Sequence, residues 1–71
     1  MNSLTPEQDA ALRRLRTRAW LLHSDARHWL LEAALDSGDV TALALAGDAA
    51  AALWKLHKHV EGRLVEAEGE A

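Results

Sequence analysis

The sequence predicts an all-α protein: an antiparallel two-helix hairpin, with helices over residues 6–36 and 39–67, that assembles into a homo-oligomeric helical bundle. Three observations predict it. The apolar residues, 49% of the chain, are mainly Leu and Ala, which favour helices, while Ile, Phe and Tyr are missing and Trp20, Trp29 and Trp54 are the only aromatics. Apolar positions recur at alternating spacings of three and four in both halves. A cluster of turn residues, Asp36-Ser37-Gly38-Asp39, separates the halves.

The first helix starts where Thr5 can cap it, Pro6 can occupy its first position without losing a needed hydrogen bond, and Gln8 can complete a capping box. Leu12, Leu15, Ala19, Leu22, Ala26, Trp29 and Ala33 then keep a seven-residue repeat and predict its inner seam. Gly38 ends it in the left-handed conformation, and Asp39 caps the second helix. There the seam is Leu43, Ala46, Ala50, Leu53, His57, Val60 and Leu64. Each helix is roughly 45 Å long at 1.5 Å per residue. Ser24-Asp25 and Gly47-Asp48 are two places where the helices could break, but the repeat runs through both. The acidic tail, Glu66 to Ala71, is expected to fray.

Seventy-one residues make one domain, residues 1–71, with a thin stability margin. A chain without cysteine has no disulfides, no thiolate nucleophile and no zinc-thiolate site. No stretch is apolar enough to span a membrane, and MNSLTPEQ lacks the basic start and apolar core of a signal peptide, so a soluble cytoplasmic protein without membrane contact is expected. The leaning toward Arg, Ala, Leu and Asp fits a GC-rich bacterial or phage genome.

A hairpin covers one stripe per helix. Trp20, Leu31 and Leu35 lie nearly opposite the first seam, and Leu45, Ala49, Ala52 and Leu56 form a second stripe on the other helix. Such rows mark an interface, so these seven residues are the expected oligomer contact, most simply in a two-fold dimer closing a four-helix bundle. In architecture alone such a dimer resembles the RNA-binding repressor-of-primer bundle; no motif accompanies the likeness, which therefore implies nothing residue by residue.

Charge is sorted along the hairpin. The net charge is −3, yet Arg13, Arg14, Arg16, Arg18, Lys55, Lys58 and Arg63 occupy a central zone between acidic ends. Ordinary surface ion pairs, such as Arg13 with Asp9, account for part of this. The rest predicts a contact band of Arg13, Arg14, Arg16, Arg18, Trp20, Arg27, Lys55, Lys58 and His59. Docking on a protein partner is the first reading of that band. The alternative is that it holds RNA or a nucleotide-type phosphate ligand, although dedicated nucleic-acid binders are usually basic overall.

The four histidines are poorly spaced for metal. His23 and His28 are five apart, His57 and His59 two apart, so no metal site and no cofactor is expected. His57 falls on the seam, where a hydrogen bond to Glu61 would satisfy it; were Arg14 or Arg18 beside it, its charged form would be disfavoured and the oligomer would be acid-sensitive. No nucleophile elbow and no Gly-rich phosphate loop is present. The expectation is a non-enzymatic interaction module, an adaptor or inhibitor that homo-oligomerises and docks on another protein.

Overall fold

The computed structural model describes residues 4–69. Among them no strand occurs: the chain forms helix α1 (Pro6–Asp25), a π-helical turn (Ala26–Leu30), helix α2 (Leu31–Ser37) and helix α3 (Val40–Gly69). The first three run on without a change of direction and make the first arm of an antiparallel hairpin. Helix α3 is the second arm, and together they form a rod of 50 × 16 × 14 Å.

Local chemistry sets the ends. The Thr5 hydroxyl accepts from the Gln8 backbone N–H at 3.1 Å, the Thr5 N–H donates to Gln8 Oε1 at 3.1 Å, and Pro6 opens the helix. Both halves of the predicted capping box therefore form. At the turn Gly38 adopts φ 70°, and its N–H donates to the Leu35 carbonyl at 3.2 Å. Asp39 Oδ1 then accepts from the Ala42 N–H at 3.0 Å and starts α3. Gly38→Ala should cost about 1–2 kcal/mol, because a Cβ is unfavourable in the left-handed region. Gly47→Ala, inside α3 with open space around its Cα, should instead add about 0.5–1 kcal/mol. Urea titration of both variants checks the pair, and equal effects of one sign would contradict it.

The second seam lies where the repeat predicts. Ala46, Ala50, His57, Val60 and Leu64 are buried, with Leu43 and Leu53 half-buried. Gly47-Asp48 interrupts nothing, and α3 continues through Gly69, so residues 66–69 of the acidic tail are helical rather than frayed; Glu70 and Ala71 lie outside the described residues.

The first arm departs from expectation. Its seam is Leu12, Arg16, Ala19, His23 and Ala26, whereas Leu15, Leu22 and Trp29 are exposed, Trp29 at 71%. Ala19 and Ala26 belong to both patterns; the helix is turned so that positions 16 and 23, not 15 and 22, share their side. Ser24-Asp25 caps no new helix, since Asp25 keeps right-handed helical dihedrals. Instead a wide turn follows, in which the Leu31 N–H donates to the Ala26 carbonyl, five residues back. The extra residue carries the seam from Ala26 to Leu31 and Ala34, both half-buried, in place of Leu30 and Ala33. Leu31 is thus a hairpin contact and not the outward residue its number predicts.

Candidate interaction site

At mid-length the seam widens into a layer of four rings, two from each arm. Trp20 stands 5.4 Å from His57 and 5.9 Å from His23, Trp54 stands 5.1 Å from His23 and 5.6 Å from His57, and the two indoles are 6.2 Å apart between centroids. Each imidazole is therefore held by indoles from both arms. His23 and His57 are about nine-tenths buried, and the Nδ1 of each is sealed from solvent without a hydrogen-bond partner. A buried N–H without an acceptor is rarer and costlier than a bare lone pair, which favours the proton on Nε2. In His57 that nitrogen points toward Glu61 Oε2 at 3.8 Å, too long for the expected hydrogen bond. Glu61 also takes Lys58 Nζ at 3.4 Å, and the ammonium lies 5.2 Å from the Trp54 ring centroid.

Open grooves flank this layer. One of about 320 Å³ is lined by His23, Arg27, Leu31, Ala50, Ala51 and Trp54. Another, of about 400 Å³, is lined by Arg16, Thr17, Trp20, His57 and Glu61. A third, on the other side of His23, shares Trp20 and Arg27 with them. Neither Arg14 nor Arg18 lines the groove of His57. Arg16 and Glu61 do, and their charges are of opposite sign.

The predicted contact band does not form one surface. At 100° per residue, Arg13, Arg14, Arg16 and Arg18 spread over about 200° of the helix circumference. Arg13 Nε donates to Asp9 Oδ2 at 2.8 Å, and its Nη2 lies 3.6 Å from Glu68 Oε1, tying the start of the first arm to the end of the second. The hydrogen bond and charge of Asp9, then Glu68, hold that guanidinium above its ordinary pKa. Lys55 and His59 lie two residues either side of His57 and so on the far side of α3. The structure brings together Trp20, Arg16, Arg27 and Lys58 around the rings; Arg14, Arg18, Lys55 and His59 stay apart from them.

The expected oligomer contact is redistributed too. Trp20 and Leu31 belong to the ring side of the hairpin. Leu45, at 63% exposure, and the exposed Ala49 and Leu56 lie on the opposite side, with Ala52 further round and Leu35 exposed beside the turn. Leu45, Ala49 and Leu56 share that side with Leu15 and Leu22, both expected on the inner seam, and, beyond the wide turn, with Leu30. Since Trp20 meets Trp54 on one side of the seam, these two rows share the other, a leucine-rich face. His23 was missed for the same reason as that face. Positions 12, 16, 19, 23 and 26 keep the three-four spacing as faithfully as 12, 15, 19, 22 and 26, and the second set is the more apolar.

Fold and site together define a small all-α hairpin with a leucine-rich side face and, on its other side, aromatic grooves carrying arginine. No protein-family model matches the chain, and no curated protein or solved structure is significantly similar to it. Among the described residues, no helix is long and apolar enough to cross a membrane, and no three His, Asp or Glu side chains converge as a metal site would require.

Proposed function

We propose that this chain is a non-enzymatic interaction module that self-associates through its leucine face, most simply as a two-fold dimer completing a four-helix bundle, and offers the ring side to a protein partner. One observation carries this reading: the buried apolar positions are mostly alanine, while Leu15, Leu22, Leu30, Leu45 and Leu56 stay exposed on one outer face. The surface area agrees. The chain exposes 5310 Å², against roughly 4400 Å² for a compact monomer of 7.8 kDa. The excess, on the order of 900 Å², is close to the ~800 Å² that each partner buries in a standard interface.

The assignment to binding rather than catalysis rests on what the hydroxyl groups do. Thr17 donates to the Arg13 carbonyl and Ser37 to the Ala34 carbonyl, while Thr5 caps α1. The grooves are shallow and open, which does not favour a water-excluding site. Phosphate binding along the basic residues has less support, because a nucleic-acid track needs cations in line and these point in different directions. Bacterial or phage origin and a cytoplasmic setting remain part of the proposal on composition alone.

Sedimentation velocity and native mass spectrometry at roughly 1–100 µM, where interfaces of this size associate, test the first half. A closed assembly, most simply of two chains, is expected. A monomer throughout that range overturns it.

A further inference from the structure

The two buried histidines occupy matching places on the two arms, yet their outward neighbours differ in sign. Four residues after His57 comes Glu61, whose carboxylate stands 3.8 Å from the imidazole Nε2. Four residues after His23 comes Arg27, which has no ion-pair partner among the described residues. His23 lines the groove with its Nδ1 sealed off, so a proton on Nε2 would be the one its ring can offer a ligand. The floor and walls beside it are apolar: Leu31, Ala50, Ala51 and the Trp54 ring. The second arm fills the corresponding position with its own carboxylate; the first leaves it open and adds a cation.

We infer that the groove between His23, Arg27 and Trp54 docks a carboxylate side chain of a partner protein, presented on an acidic segment with apolar neighbours. This rests on the reading of the ring side as a partner surface. One guanidinium and one imidazole N–H match a single carboxylate: Arg27 grips it with parallel N–H donors, His23 Nε2 donates a further hydrogen bond, and Leu31 with Trp54 covers the adjoining apolar side chain. A phosphate chain would need further cations in line, and Arg16, the nearest other one lining a groove, shares its groove with Glu61.

The test is a soluble random 12-residue peptide library selected on the full chain, followed by titration of the enriched peptides with NMR detection of the His23 imidazole and Trp54 indole. Enrichment of Asp or Glu flanked by apolar residues is expected, with both reporters shifting. Replacing that one acid by its amide should weaken binding at least about tenfold, as should Arg27→Glu. Lys in place of the acid should recover affinity for Arg27→Glu alone. Peptides that bind without an acid, or that bind Arg27→Glu equally, would overturn the inference, as would tighter Arg27-dependent binding of a 12-nucleotide single-stranded RNA. Leu22→Glu, on the opposite face, should keep peptide affinity within about twofold even as a monomer. A monomeric wild type with peptide binding intact would then sink only the self-association, and a dimer without acid-dependent binding only the docking.

Discussion

Leu22→Glu is expected to leave the protein a single 7.8 kDa chain across the concentration range in which we propose that the wild type assembles. Leu22 is 54% exposed in the hairpin and lies at the middle of the leucine face, so a carboxylate there leaves the hairpin helical. Against a second copy the same carboxylate would be buried among leucines. That costs several kcal/mol, enough to weaken association by roughly 100-fold or more. Leu31→Glu is the companion variant, because Leu31 was expected outside and lies on the ring side. An assembly that survives Leu22→Glu and dissolves with Leu31→Glu would move the interface to the grooves and refute the face described here. Circular dichroism on both variants separates loss of association from loss of fold.

Leu64→Ala should be the most damaging single truncation in the hairpin. Leu64 is 2% exposed and, with Val60, is the largest fully buried side chain, while the other buried apolar positions hold alanine. Removing it leaves a cavity between rigid helices and should cost about 2–5 kcal/mol. A chain of this length has roughly 4–10 kcal/mol in total, so about a fifth or more of its stability is at stake. Urea titration at fixed protein concentration reads the loss, and the fixed concentration matters because association adds to apparent stability. A change below about 1 kcal/mol would mean that the open end of the hairpin is not packed as described.

How much of this was legible follows from the range of each signal. The capping box at Thr5-Pro6-Gln8, the left-handed Gly38 and the Asp39 cap were all readable, since each is decided by residues within four positions of one another. The second seam was readable because its repeat from Leu43 to Leu64 runs longer than the stripe of Leu45, Ala49, Ala52 and Leu56 beside it. The first arm offers two registers, and the more apolar one is turned outward. Nothing local separates them; the decision depends on Trp20 and Leu31 reaching α3 and on the wide turn that brings Leu31 round. The arginines divide the same way. Their place along the axis follows from counting, but their spread around the helix separates them, and of the four in the run only Arg16 lines the groove of His57. The ring layer needed both arms at once, so only His57, on the well-determined arm, was recognised as inward.

The wide turn at Ala26–Leu30 also bears on how this chain tolerates changes in length. In an ordinary α-helix, losing one residue swings everything beyond it through 100° and takes the seam off its partner. Here the arm already carries one residue more than the seam needs. Deleting His28, exposed within the turn, would let Ala26 and the former Leu31 stand four apart, restore the regular helical hydrogen bond between them, and shorten the arm by about 1.5 Å. Such a deletion should leave the melting temperature nearly unchanged, whereas deleting Arg14, also exposed but within regular helix, should unfold the arm on one side of the cut. The first arm thus has one position where its length is adjustable, a splice point at which related chains could gain or lose a residue without redrawing the hairpin.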